Sequence, residues 1–485
     1  MNEDQNTILK IGWATRDVTP DRPVVLGAQF KMRISEGVQG PVTVTALAMS
    51  TGESADNSVV FVSSDDAGFR NGWFSDINFL SLCREAVRDR TSEIDVSKII
   101  LHATHTHTAP NMLTGRYGPA ALPEGVMTAE EYEGLHVNGI ADAVVEAWIN
   151  RKPGGVSWGL GTAVVGHNRR VTYFAEDSSR RAGAIVNGFT KMYGDTNDPN
   201  FSHIEGYEDH YVDLLYTWDG DKNLTGVVVN LACPSQETEM AMVVSADFWH
   251  EIREEIRKRH GRDIQILAQV SSAGDQSPHR LWYKAAEERM LRLRGLTMRE
   301  EIGRRVANAV DDVLPVAEAS IQTDLPFKHV VKEIAIPRRM VTDEEAVAVR
   351  ADLDKLEAEA RAGKNTYRVA KRCERVLERY EFQNESPDIP MELHVVRLGD
   401  VAFATNRFEL FLDYGIRMKA RSPTIQTFIV QLTANDGWAG RYLPSERAAA
   451  NKGYGGSVYD NEAGPGAGSV IVEETLKVLN DLWEN

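Results

Sequence analysis

The sequence predicts an α/β fold of mixed α+β character, a single large domain in which packed β-sheets are flanked by helices, with a helical insertion at 284–385. Three observations carry this expectation. Short β-branched runs alternate with turn residues up to about residue 280. Amphipathic stretches at helical spacing fall between them. A tract rich in Glu, Arg, Ala and Leu and almost free of glycine then interrupts the pattern, before strands return.

Taken in order, 42–50 and 58–63 read as the first strands, 79–90 as a helix and 98–102 as a strand. Residues 129–150 repeat apolar positions at helical spacing. Strands follow at 155–165, 211–218 and 224–232. A helix at 247–260 is stopped by Gly261 and leads into an apolar strand at 264–270. Residues 283–313 and 341–383 are helical by composition. In the second stretch Thr342 is an N-cap with Glu345 three residues on, the pattern of a capping box, and Gly363 breaks it into a two-helix hairpin. Strands resume at 391–398, 401–405 and 427–432. The glycine-rich tract from Gly453 to Gly468 fits no phosphate-binding glycine pattern and reads as a flap or surface loop. A helix at 470–483 closes the chain.

With 54 Lys+Arg against 71 Asp+Glu, the formal charge is −17. Such a chain is a poor partner for nucleic acid or an anionic membrane surface, and no run nears the ~18 apolar residues of a membrane span. The expected partner is a small-molecule substrate. Cys83, Cys233 and Cys373 are too far apart for a zinc knuckle or a disulfide framework. The acidic, polar first residues carry no basic and apolar leader. A cytoplasmic setting is therefore expected, or a secreted one if a leader was removed. Nothing in the sequence sets an oligomeric state.

Chemistry concentrates at a few points. The strand at 98–102 runs into His105-Thr106-His107. Residues two apart on a strand share one face, ~6.5–7 Å apart, so the two imidazoles can serve one metal, or one can ligate while the other handles protons. His102, on the opposite face, reads as a satisfied core histidine. Gly274-Asp275-Gln276-Ser277-Pro278 follows an apolar strand and is a tight turn able to hold the Ser277 hydroxyl in a fixed pose, though it is not a Gly-x-Ser-x-Gly elbow. Glu409 follows another strand in Asn406-Arg407-Phe408-Glu409, and Tyr442 and Tyr454 stand twelve residues apart. His250-Glu251 lacks the second histidine of a zincin helix.

In this order the segments resemble the neutral/alkaline non-lysosomal ceramidase family. Ile11-Gly-Trp-Ala-Thr-Arg-Asp17-Val-Thr-Pro20 is similar to the family's opening, 59–66 to its next strand, Ala103-Thr104-His105-Thr106-His107 to its most specific motif, and 274–278 to its serine segment. The resemblance runs from 11 to 468, is poorest over 284–385, and makes 1–485 a divergent ceramidase-like catalytic domain. It implies Zn2+ bound by His105, Glu409 and Tyr442, with Ser277 as the catalytic serine and His107 beside it. It also implies that Arg169, in His167-Asn168-Arg169-Arg170, binds the substrate carbonyl and that Tyr454 contacts the scissile amide.

One departure bears on the metal. A further zinc histidine of the family corresponds here to Pro234, in Asn230-Leu231-Ala232-Cys233-Pro234-Ser235-Gln236, and proline cannot ligate. His107 completes the set, or Cys233, Gln236 or Glu237 does, or the site is altered. Cys233 suits a small buried hydrophobe better. The expected function is zinc-dependent hydrolysis of an N-acyl bond by metal-activated water, Ser277 assisting or attacking, on an N-acyl lipid or a polar analogue. The alternatives are a metal-dependent hydrolase or lyase of a polar carbohydrate derivative, which the acidic charge favours, and a metal-free binding module.

Overall fold

The computed structural model describes residues 8–52, 54–69, 78–118, 121–177, 188–436 and 441–484. They form four layers, helices on sheet on sheet on helices. The first sheet has eight strands in the order Gln265–Val270, Leu224–Leu231, Tyr211–Asp219, Lys152–Thr162, Lys10–Asp17, Thr43–Ser50, Ser58–Ser64, Ile99–Ala103. The second has four: Phe327–Pro337, Asp388–Leu398, Val401–Thr405, Gln426–Val430. The described helices are α1 (Phe79–Arg88), α2 (Ala129–Ile149), α3 (Phe248–His260), α4 (Lys284–Arg294), α5 (Met298–Glu318), α6 (Asp343–Arg361), α7 (Tyr367–Phe382), α8 (Leu412–Arg421), α9 (Glu446–Asn451) and α10 (Pro465–Glu484). None is long and apolar enough to cross a membrane.

Successive side chains of a strand face opposite ways, and the sequence fills both directions. In Thr43–Ser50, Val44, Ala46 and Ala48 point to α1 and α2, whereas Leu47 and Met49 point to the second sheet. Val60 and Val62 divide from Val59 and Phe61 in the same way. Between the sheets, Phe61 meets Phe403 at 4.8 Å, and Phe403 stacks on Phe428 at 4.4 Å. Helices α3 and α5 cover the other half of the first sheet through Trp249, Ile252, Val306 and Val310. Helices α8 and α10 cover the second sheet through Met418, Ile471 and Leu479. Strands buried on both faces read as near-continuous apolar runs, which is why most of them are legible in the sequence.

The stretch 284–385 holds α4 to α7, but also the strand Phe327–Pro337, which pairs along its whole length with Asp388–Leu398. The expected capping box opens α6: Thr342 accepts from the Glu345 amide and Glu345 from the Thr342 amide. Gly363, at φ +85°, separates α6 from α7. The glycine tract is a packed segment with Asp460, Asn461 and Ala463 buried, and its last glycines lie in the first turn of α10, which begins at Pro465 instead of 470.

Candidate active site

Both sheets contain parallel pairs: Ser58–Ser64 with Ile99–Ala103, Leu224–Leu231 with Gln265–Val270, and Val401–Thr405 with Gln426–Val430. Their carboxyl ends are stitched together. Ala103 N donates to Leu432 O (3.3 Å), Gln431 N to Val270 O (3.0 Å) and Asn406 N to Val430 O (2.9 Å). The crevice outside the carboxyl ends of parallel strands is where open α/β sheets place ligands. All of the expected site residues except Arg169, Tyr442 and Tyr454 sit in the loops that leave these ends.

The strand bearing the histidines ends at Ala103, so the pair is not presented by strand alternation as expected. His105 instead turns into the left-handed region, φ +64°, which costs a non-glycine residue on the order of 1–3 kcal/mol and persists only where neighbours impose it. Those neighbours are visible. Thr104 N donates to Ser64 O and its hydroxyl to Asp65, which a buried Arg253 grips with two bonds of 2.7 and 3.0 Å. Thr106 N donates to Asp66 O, and its hydroxyl to Ser245 O. The turn brings the two rings to 5.0 Å. His102 is buried as expected, but it is not satisfied: neither ring nitrogen has a hydrogen-bond partner among the described residues.

His105 Nδ1 donates to Ala67 O at 2.7 Å, so in the neutral ring Nε2 offers its lone pair. That nitrogen lies 3.5 Å from Glu409 Oε2 and 3.4 Å from His107 Nε2. On His107, Nδ1 is 3.2 Å from Glu239 Oε2, and Nε2 accepts from Gln236 Nε2 at 2.7 Å. Burial pushes His107 down to about 4, against the pull of Glu239, so it is neutral at pH 7. Glu409 Oε2 and His107 Nε2 thus both approach the His105 lone pair, with the His107 nitrogen also engaged by Gln236. A tetrahedral ion with bonds of ~2.0–2.1 Å holds its donors ~3.3 Å apart; Glu409 Oε2 and His107 Nε2 each stand close to that separation from His105 Nε2, although the three atoms do not all lie within 4.8 Å of one another. Glu409 and Tyr442 are register partners in a two-stranded parallel ribbon, which places Tyr442 on the same side.

The segment that carries Pro234 contributes differently from a ligand. Ser235 bonds the histidine loop three times: its amide and its hydroxyl donate to Thr104 O, and its carbonyl accepts from the His107 amide. Gln236 is buried, bridging His107 and Arg169, whose Nη1 donates to Gln236 Oε1 at 2.9 Å. Cys233 is a core residue with its thiol pushed far up by burial. The Glu237 carboxyl lies 3.7 Å from His279 Nδ1, and burial raises it to about 7.

Arg169 is fully buried. Beyond Gln236, its guanidinium donates to Tyr193 Oη (3.1 Å), Tyr442 Oη (3.3 Å) and Gly274 O (2.9 Å). Ser277 Oγ accepts from Tyr193 Oη at 3.2 Å and from His279 N at 3.1 Å. Among the described residues no carboxylate or imidazole accepts its proton. Its turn is locked by Asp275, which accepts from Leu412 N and Asn168 Nδ2. Gly274 is required there: a Cβ would lie 2.2 Å from Glu409 O. Tyr454 packs edge-on to Tyr442 at 5.4 Å and to Phe30 at 6.2 Å. Arg372 of α7 lies over both Tyr454 and Phe30, so the second helical pair overhangs the site.

The structure thus brings His105, His107 and Glu409 together, with Tyr442, Arg169 and Ser277 linked to them through Gln236 and Tyr193 and with Tyr454 at the rim. Sequence reasoning missed Tyr193, Glu239 and His279. The signals were faint: a histidine two residues after Ser277 and the alternation Glu237-Thr-Glu239. A further histidine–carboxylate group, His167, Glu208 and His210, places three ligand atoms within 4.8 Å of one another.

No family model and no curated protein matches the sequence. Among solved structures the fold is similar to neutral ceramidase from Pseudomonas aeruginosa, with a TM-score of 0.66 at 14% identity over 99% of this chain and 75% of that one. It is also similar to a ceramidase complexed with C2, with a TM-score of 0.65 at 13% identity over 98% and 75%. The fold is shared.

Proposed function

We propose that this chain is a zinc-dependent hydrolase that cleaves an N-acyl bond. The observation that carries the reading is the approach of two ligand-type atoms to His105 Nε2, His107 Nε2 at 3.4 Å and Glu409 Oε2 at 3.5 Å. The likeness of fold to ceramidases supports the same class of reaction. Zinc, held by His105 and Glu409 with His107 or Tyr442 completing the set, would supply Lewis-acid chemistry to the scissile carbonyl and the attacking water.

The remaining steps belong to the chain's own residues. Arg169, a permanent cation tied down by four neighbours, stabilises charge developing on the carbonyl oxygen, and Tyr454 donates a second hydrogen bond. Removing one such donor typically costs ~10²–10³ in rate. Where His107 is not a ligand, its neutral Nε2, once the Gln236 amide yields it to water, takes a proton from the attacking water and delivers it to the departing amine, with Glu239 fixing the ring through Nδ1. Ser277, lacking an adjacent base, positions substrate or water through its free O–H and does not attack.

A second reading, a polar substrate in place of a long-chain lipid, is favoured by the rim. There Arg372 and Arg368 of α7 lie over Phe30, where an acyl chain would otherwise rest on aromatic surface. The test is turnover of N-acyl compounds matched in amine but varied in acyl length, with zinc content measured in parallel. His105→Ala should lose bound ion and turnover together. Full activity in that variant would end the proposal.

A further inference from the structure

The strand that precedes Arg169 carries a second set of ligand-type side chains. His167–Asn168 pairs antiparallel with Gln276–Ser277, His167 opposite Ser277. The segment 205–210 folds against it: Asn168 N donates to Glu208 Oε1 (3.3 Å), Asn168 Nδ2 to Tyr207 O (3.3 Å), and Ala163 N to His210 O (2.8 Å). Within this junction His167 Nδ1 lies 3.2 Å and His210 Nε2 3.1 Å from the same oxygen, Glu208 Oε2.

We propose that His167, Glu208 and His210 form a second zinc site, separate from His105 and Glu409, whose ion staples the Arg169 strand to segment 205–210. The donor set is two imidazole nitrogens and one carboxylate oxygen. It suits zinc and is poor for calcium or magnesium, which take oxygen ligands. The two histidine–carboxylate separations, 3.2 and 3.1 Å, are close to the ~3.3 Å edge of a tetrahedron with bonds of ~2.0–2.1 Å, and all three atoms lie within 4.8 Å of one another. His167 and Glu208 are largely enclosed, whereas the His210 side chain is 38% exposed. An ion therefore has an entry side and room for water as fourth ligand. No residue of this group takes part in the proposed hydrolysis, so the two readings stand or fall separately.

The test is zinc stoichiometry by elemental analysis, with thermal unfolding under added zinc chloride, on the wild type, His105→Ala, His210→Ala, Glu208→Gln and the double variant His105→Ala/His210→Ala. Two ions are expected in the wild type, one in each of His105→Ala, His210→Ala and Glu208→Gln, and none in the double variant. Added zinc should raise the melting temperature of His105→Ala but not of the double variant. Glu208→Gln keeps the shape of the junction, so loss of its ion is not a folding defect, and circular dichroism checks that. If His105→Ala holds no zinc and gains no stability from it, or if wild type and Glu208→Gln bind equally, the second site does not exist. A single wild-type ion lost in His210→Ala and kept in His105→Ala would support this site and overturn the hydrolytic centre instead.

Discussion

At the scale of single residues, the reactive pieces are held by side chains that do no chemistry. Gln236 and Tyr193 connect His107, Arg169 and Ser277 into one buried hydrogen-bonded chain. Because Ser277 has no adjacent base, Ser277→Ala should lower kcat by ~10²–10³, as loss of one positioned hydrogen bond does, and leave zinc content unchanged. Elemental analysis beside steady-state kinetics checks both. Two histidines outside the proposed metal donors make a different statement. Burial pushes His102 down to about 3 and His136 to about 4, so both are neutral in the fold while the unfolded chain protonates them near 6.5. With the native state binding fewer protons, stability falls as pH drops below 6.5 and levels off under about 3. Each tenfold loss of proton affinity on folding is worth about 1.4 kcal/mol. Urea midpoints across that range should follow this slope, and His102→Leu, which also removes two unpaired nitrogens, should flatten it. The paired histidines were legible in the sequence. Glu409 and Tyr442 were legible only through resemblance, because a lone carboxylate or phenol after a strand carries no local signal.

At the scale of elements, legibility followed burial. Strands covered on both faces stand out as apolar runs. Phe327–Pro337 does not, since it lies at the edge of its sheet and its partly exposed positions include Lys328, Lys332 and Glu333. Charged residues on an exposed strand face mimic the composition of neighbouring helices, so this strand, lying between the helical stretches 283–313 and 341–383, went unread inside a tract expected to be a helical insertion. The capping box of α6 was legible because it depends only on spacing, and Thr342→Ala should lower stability by ~1 kcal/mol, read from thermal unfolding. Gly274 makes the opposite kind of demand. A methyl group there meets Glu409 O at 2.2 Å, backbone against side chain, so Gly274→Ala must part the serine turn from the Glu409 strand. Turnover should fall at least as far as in Ser277→Ala, with a lowered unfolding midpoint, whereas a neutral outcome would mean that the two loops are not in register.

At the scale of the whole molecule, the sheets meet over one apolar layer and are stitched at one end, where the proposed ion would sit. A ligand that binds only the folded state stabilises it by RT ln(1 + [L]/Kd), ~4 kcal/mol at a thousand times Kd. Removing metal with a chelator should therefore lower the melting temperature by several degrees as well as abolish turnover, and restoring zinc should reverse both. The layered arrangement could be inferred from the alternation of strands and helices. The pairing of a sheet built mainly from the first half of the chain with one built from the last third could not, because no local pattern encodes which sheet faces which.

That pairing also sets a timetable. His105 emerges early in synthesis, and Glu409, its 3.5 Å neighbour, some three hundred residues later. Translation proceeds at ~5–20 residues per second, so the histidine loop waits for tens of seconds before its carboxylate exists. A nascent polypeptide halted short of Glu409 would leave the inter-sheet face of its first sheet uncovered and His105 without its carboxylate neighbour until the last strands dock.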